Sequence, residues 1–554
     1  MSVRGLSVAF GFGLAALAGA PAHAQLQSVN PGVIQNDIDR QRQQFEQRSA
    51  PPKLQGPAVI GGEREKPGIL KPGGPKFKLN KIVFEPSKFI TPEELDEIAK
   101  KYVGQDADIS TLQQVVADIN AIYAERGIVT GIATLPEQDA NGGIVKVKLT
   151  EGRLQKTTIT GNEQTAKWYI LDRVKEPEGE ILDVPKLNRD VLWFNRTNDV
   201  QIKALLQPGT SFGLTDLNFA VIEPPRDTLQ LFVDNQGVQN TGPWQEGIYY
   251  KRHSLLGMDD RLTFYGVRSN GNLNGNVAYN IPINPWGGRA GVSYTQGEIK
   301  IVQGPLVSLG VTGRSTQAAV NFSQPLWVTQ NWMLLFNAAE TEGNTISRVP
   351  NADLTNDHYD KSTAGLALTN YGNTYSFTVS PAVNYVEWHD HILFGNKTFN
   401  TYTGTASFIG SGPANFSLNV LASWQWSPTA VLPGDQIFSI GGPTTVRGYP
   451  TNAVSGDSGY YFNAELHYNW SSLIKGLDTY LFTDRGAVYA TFPTVVELNS
   501  VGAGFSWTFN PALTLEGNYA VPITFALATQ RHFEAYGRLT FRPLLAFPKV
   551  ASAQ

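Results

Sequence analysis

The sequence predicts a sixteen-stranded transmembrane β-barrel behind two small α/β modules and a lone N-terminal helix. Three observations carry that fold class. From Arg226 onward apolar and polar residues alternate with a period of two; between 77 and 225 one order of strands and helices occurs twice; and outside Leu6–Ala20 no apolar run approaches the roughly 18 residues of a spanning helix. Any membrane crossing is therefore made by strands.

Composition narrows the functions. The 554 residues carry 44 Lys+Arg against 48 Asp+Glu, a net charge of −4, which excludes a strongly basic nucleic-acid binder. Charged residues are only 17% and aromatics reach 11%, at a mean hydropathy of −0.20. A helical membrane protein is far more apolar. With 0 Cys there are no disulfides, thiolate metal sites or Cys nucleophiles.

Residues 1–24 read as a secretory signal: Arg4, the apolar Leu6–Ala20, then the small-x-small site Ala22-His23-Ala24. A retained anchor helix is the alternative, and its apolar run is short for one. Residues 25–50 hold a polar, weakly amphipathic helix over Val33–Gln47, with Val33, Ile34, Ile38 and Phe45 as its apolar points. Residues 51–76 form a linker, because Pro51, Pro52, Pro57, Pro67, Pro72 and Pro75 among glycines allow no long helix or sheet.

The first module spans 77–152. Phe77–Phe84 reads as a strand; Thr91-Pro92-Glu93-Glu94 is a capping box opening a helix; Ser110-Thr111-Leu112-Gln113 opens a second, with Leu112, Val115, Val116, Ile119 and Ile122 at helical spacing; strands follow at 128–135 and 144–150. The second module, 153–225, repeats the order: strand 154–160, helices 165–174 and 185–195, strands 200–206 and 217–222. In each, helices cover one face of a three-stranded sheet and leave an edge strand able to accept an extended segment. The edge residues Ile128, Thr130 and Ile132, with Leu112 and Ile119 of the adjacent helix, are the expected partner-binding set. The plainer alternative is a pair of spacer modules.

The barrel occupies 226–554. Of the 22 Lys, 16 precede Arg226 and 6 follow, whereas nine of the 11 Trp follow it, as expected if this part faces lipid with aromatic girdles. Strands are expected at 227–236, 244–256, 259–268, 272–281, 286–298, 312–324, 330–343, 359–370, 373–386, 398–409, 414–427, 459–471, 476–489, 498–509, 512–520 and 532–542. Short turns on one side and mostly longer loops on the other match an outer-membrane barrel with short periplasmic turns. A soluble β-sandwich would not place aromatics on the outer face of successive long strands.

The longest loop, 427–459, holds Gly441-Gly442-Pro443-Thr444-Thr445-Val446-Arg447-Gly448-Tyr449, and two strands later comes Phe482-Thr483-Asp484-Arg485-Gly486. These resemble the V-R-G-Y motif of the sixth external loop and the F-x-D-x-G motif of an inner-wall strand in the two-partner secretion transporters, the TpsB branch (ShlB, FhaC and HecB kind) of the BamA superfamily. The resemblance covers essentially the whole mature chain. It implies a plug helix, two periplasmic POTRA modules and a barrel in the outer membrane of a Gram-negative bacterium, inserted by the barrel assembly machinery. It further implies secretion of a large exoprotein of haemolysin or adhesin type, without a cofactor. In that family the loop folds into the lumen and its Arg meets the wall Asp. Period-two spacing places Asp484 with Phe482 and Gly486 on the inward face, where Arg447 can bond it bidentately; Gly448 lets the loop approach, Tyr449 wedges against the wall, and Val446 completes the motif. The departure is the C-terminus, where 542–554 continue past the expected terminal aromatic strand.

Other functions fit less well. Ser472–Lys475 matches S-x-x-K but sits in a turn without partner motifs, and His389-Asp390-His391 is expected in an external loop without a third spaced ligand, so neither an enzyme nor a metal site is expected. An insertase of the same superfamily would carry more than two modules. A passive porin would leave both modules unexplained.

Overall fold

Alternation of apolar and polar residues commits each C-terminal segment to a strand with one face for lipid and one for water, and backbone groups in lipid must all be paired, so the sheet closes. The computed structural model describes residues 30–48, 58–61, 75–392, 395–489, 495–527 and 530–546. The signal segment, most of the linker and the chain past Ala546 lie outside them.

Two compact units divide the chain. In the first, α1 (Pro31–Arg48) belongs with a closed barrel of sixteen strands. These are β10 (Asp227–Asp234), β11 (Gln245–His253), β12 (Arg261–Ser269), β13 (Asn272–Pro282), β14 (Arg289–Lys300), β15 (Thr312–Val328), β16 (Trp332–Val349), β17 (Ala352–Tyr371), β18 (Tyr375–Asp390), β19 (Asn396–Ser411) and β20 (Phe416–Trp426). After a loop carrying the small hairpin β21 (Phe438–Ile440) and β22 (Val454–Gly456) come β23 (Ser458–Asn469), β24 (Leu477–Tyr489), β25 (Val495–Asn510), β26 (Leu513–Pro522) and β27 (Glu534–Phe541). Every pairing is antiparallel, and β10 closes on β27 through only four residue pairs, Leu231↔Phe541 to Asp234↔Arg538.

Exposed Trp286, Trp327, Trp332, Tyr375, Phe416 and Phe509 all flank the short turns, the arrangement of an interfacial girdle. All sixteen expected strands are present, but β16 and β17 extend past their expected ends at 343 and 359 to within a Pro350-Asn351 turn. The Glu342–Asp357 stretch is polar on both faces, so it lacks the alternation that marks strands in lipid. His389 and Asp390 end β18 instead of lying in a loop, and His389 pairs with Asn396.

The second unit covers 58–224 of the described residues. In its first module the two-residue strands β2 (Phe77–Lys78) and β4 (Asp106–Ala107) pair, and β3 (Lys81–Phe84), β5 (Gly131–Thr134) and β6 (Ile144–Glu151) form a sheet ordered β3-β6-β5. Helix α2 (Pro92–Tyr102) starts at the expected Thr91 capping box; α3 (Ile109–Glu125) is capped by Asp108 with Thr111, two residues before the expected Ser110 box, because a carboxylate satisfies the orphan N–H groups there and Ser110 donates to it. The second module has β7 (Arg153–Thr160), α4 (Lys167–Arg173), α5 (Val184–Thr197), β8 (Gln201–Pro208) and β9 (Leu214–Ile222). A strand that the Pro-rich composition hid, β1 (Val59–Ile60), adds in parallel to the β8 edge, with Val59 opposite Ala204 and Ile60 opposite Leu205.

Candidate functional site

Inside the barrel the 427–457 loop turns back into the lumen. Its tip is shaped by glycine: Gly441, Gly442 and Gly448 have φ of +110°, +94° and +90°, where side chains are strained. At Gly448 a Cβ would also lie 3.2 Å from the Pro522 backbone nitrogen. The sequence places Arg447 and Asp484 together, and the structure does the same. Arg447 Nε and Nη2 donate to the two Asp484 oxygens, each at 2.7 Å, and its backbone N–H adds a third bond at 3.0 Å. The guanidinium lies 3.5 Å over the Phe482 ring, and Phe482 in turn lies over Gly502, where a side chain would collide with it.

Val446 is fully buried with Ile440, Val454, Tyr461, Val488 and Leu498. Gly486 makes room for it: a Cβ there would come 3.0 Å from both Val446 and Ile440. Tyr449 is also fully buried; its hydroxyl lies 2.8 Å from the carbonyl oxygens of Asn499 and Thr524, and Tyr536 donates to its carbonyl. Each member of the two motifs thus has a distinct contact. Burial alone would lower the Arg447 pKa, but hydrogen bonds and charge from Asp484, with Glu465, outweigh it and hold the guanidinium above its ordinary value.

Sequence reasoning missed two further groups. Arg447 Nη1 donates to Glu465 at 2.5 Å, and Glu465 continues through His467 to Asp478. Glu465 and His467 alternate with the apolar Ala464 and Leu466 along β23, but nothing in the motifs singles out a second acid on the same arginine. The other group is on α1: Thr444 donates to Asp37 at 2.9 Å, Gln44 donates to the Thr444 carbonyl at 3.2 Å, and Arg40 donates to Asn452 at 3.1 Å. The loop is thereby held by the wall on one side and by the helix on the other.

The opposite end of α1 rests on the base of the loop. Asn36 donates to the Asp435 carbonyl at 3.0 Å, and Gly32 leaves no room for a Cβ against Asp435. Asp435 is 7% exposed, and burial, only partly offset by its own backbone N–H, the Gln436 side chain and the Lys361 charge, pushes its pKa up to about 6 from 3.8. Lys361 and Asp357 of β17 and Asp39 of α1 supply the nearby charges, with Asp390 beyond Asp357. A carboxyl with a raised pKa binds a proton in the docked loop that a solvated loop has already released. The Asp435 contribution to docking is therefore full below about pH 4 and is lost as pH rises through about 6. Opening events in bilayer recordings are expected to be rarer at pH 5 than at pH 7, and Asp435→Asn is expected to shrink the difference.

The residues expected to bind a partner in the first module need correction. Ile128, Leu112 and Ile119 are 3%, 9% and 0% exposed and pack in that module's core, and Thr130 is buried too. The strand begins only at Gly131, because residues 128–130 turn out of α3, with Ile128 N–H bonded to Tyr123. Ile132 lies on the edge strand β5, but the neighbouring Ala133 N–H and carbonyl are both taken by the Asn120 side chain. That edge is blunted.

The family model described as haemolysin secretion/activation protein ShlB/FhaC/HecB matches residues 213–508, and the POTRA domain, ShlB-type, matches 77–152. The outer membrane transporter CdiB of Dickeya dadantii (strain 3937) is 25% identical over 513 residues, 85% of this chain and 87% of its own length. The heme/hemopexin transporter protein HuxB of Haemophilus influenzae is 25% identical over 487 residues, 82% of this chain and 84% of its own. Among solved structures, CdiB from Escherichia coli superposes with a TM-score of 0.68 at 21% identity, covering 93% of this chain and 99% of that one.

Proposed function

The chain belongs to the ShlB/FhaC/HecB family of haemolysin secretion/activation proteins, and from that membership we propose how its parts divide the work. It is a translocator in the Gram-negative outer membrane that exports a partner exoprotein. The observation that carries the mechanism is the double anchorage of the loop, by Arg447 on Asp484 and by Thr444 on Asp37. At rest α1 fills the lumen and steadies the loop; in transport α1 leaves, the loop shifts, and an unfolded partner of haemolysin or adhesin type passes. Chain folding outside biases the motion, so neither nucleotide nor catalytic residue is assigned. Outer-membrane lipids surround the barrel, and the barrel assembly machinery inserts it. The division of the chain follows: 1–24 signal, 25–50 plug, 51–76 linker, 77–152 and 153–225 POTRA modules, 226–554 barrel. Co-expression with a candidate large exoprotein tests the reading: surface appearance of the partner must depend on this chain.

For capture, the β8 edge of the second module, covered here only by the two-residue β1, replaces the blunted edge of the first. Backbone pairing by β1 on β8 supports the reading that this edge takes an extended strand, and only two residues hold it. Here the linker stands in for the partner's secretion domain. Val59→Pro and Ile60→Pro impair that pairing without touching a core. Both variants are expected to bind purified secretion domain several-fold more tightly in calorimetry, and unchanged affinity in both would reject the β8 edge as the receptor.

A further inference from the structure

The lumen of a protein-conducting barrel is expected to be polar, and most inward positions of β10–β12 are: Gln230, Asp234, Gln245, Lys251 and His253 are all buried on that wall. Three rings, with Val267 beside them, break the pattern. Phe232 of β10, Tyr249 of β11 and Tyr265 of β12 lie side by side, with Tyr249 directly opposite Tyr265 in register. Phe232 lies flat because its partner in register is Gly247, where any side chain would collide with the ring. Into this patch α1 inserts Phe45, its lone aromatic residue, with ring centroids 5.5 Å from Phe232, 5.2 Å from Tyr249 and 6.4 Å from Tyr265. All three distances lie in the range of favourable aromatic pairs. Arg538 of β27 faces the same space, 5.7 Å from the Phe45 ring and 4.9 Å from Phe232, and is held there by Asp234 at 2.8 Å.

We propose that this patch is an aromatic clamp: it holds Phe45 at rest and, once α1 has left, takes aromatic side chains of the partner polypeptide as they pass. The inference rests on the reading of the barrel as the path of the secreted chain. When α1 leaves, three adjacent rings and a guanidinium face a water-filled lumen, the condition under which an apolar patch marks a binding site. Phe45 itself defines the ligand. A flat ring finds π faces and an oriented cation there, whereas a small aliphatic side chain would find area only. Each aromatic residue of an extended chain would be held briefly, which opposes backsliding without any energy source.

Full-length Phe45→Ala protein in planar bilayers tests this with two unstructured Gly-Ser peptides of equal length and charge, one bearing Phe at regular intervals and one bearing Ala. Blockades by the Phe peptide are expected to last about tenfold longer. Adding Tyr249→Leu with Tyr265→Leu, which keeps the wall apolar and removes two π faces, is expected to bring the two peptides together. Equal dwell times in the Phe45→Ala protein would overturn the clamp, as would a Phe-specific dwell that survives both leucines. Secretion of the partner, measured separately, reports on the transport reading alone, so the clamp can fail while that reading stands.

Discussion

Arg447→Ala and Asp484→Ala are each expected to remove most secretion while leaving barrel insertion intact. The pair is buried: Arg447 is 5% exposed and Asp484 1%, so either single change strands a charge in a site built for two. Removing one partner of a buried ion pair typically costs about 3–5 kcal/mol, more than the intact pair contributes over two neutral groups. The two positions do not fail alike. With Asp484→Ala, Arg447 keeps Glu465 and the Phe482 ring; with Arg447→Ala, Asp484 loses its only side-chain donors among the described residues. Arg447→Ala is therefore the more damaging single change. The double variant is expected to do less harm than the sum of the two, since it leaves neither charge stranded. Salt should matter little, because screening is weak for buried charges. Secretion assays alongside heat-modifiability of the barrel decide it: additive defects, or full activity in either single variant, would show that another contact holds the loop.

Arg447→Lys separates charge from shape. A lysine keeps the positive charge but cannot present the Nε and Nη2 fork to both carboxylate oxygens, nor stack a flat cation on Phe482. It is expected to recover only part of the activity.

What could be read from residues alone followed physical periodicity. Sixteen strands were legible because lipid imposes alternation, and the extension of β16 and β17 was not because water above the membrane imposes none. The Arg447–Asp484 contact was legible because two motifs and the inward phase of Asp484 agree. The Glu465 contact was not, since an inward acid on a polar wall is ordinary and only the fold brings it within 2.5 Å of Arg447. Core positions of the first module misled in the opposite direction. Leu112 and Ile119 carry helical periodicity, which shows that they face something apolar; here it is the module's own sheet, leaving no pocket for a ligand. The β1 strand was hidden because prolines mark a linker, whereas two non-proline residues between them suffice for an edge pairing.

Deleting residues 31–48 is expected to raise single-channel conductance several-fold while secretion survives. The helix is polar in composition, but one broad face of it is buried: Val33, Ile34, Ile38 and Phe45 are at most 6% exposed, and Gln35, Asp37 and Gln41 equally little, while Gln43 and Gln47 on the other face are exposed. Its polar contacts with the wall are exchangeable ones, such as Gln245 donating to Gln41 at 3.0 Å and Ser315 to Gln35 at 3.3 Å. Each such bond contributes about 1 kcal/mol net, because water replaces it when the helix leaves. The apolar anchors fall in two clusters, Val33 with Leu432 and Ile437, and Ile34, Ile38 and Phe45 with Phe232, Tyr249 and Tyr265, so departure requires both to release. A helix with side chains is about 10 Å across, which is wide enough for an extended chain to follow and too narrow for a folded domain. Asp37→Ala cuts the tie to Thr444 without removing the obstruction, so it is expected to raise the frequency of openings and leave their size unchanged. The deletion should change both. Unaltered conductance in the deletion, with the barrel shown to be inserted, would mean that the loop and not the helix closes the pore.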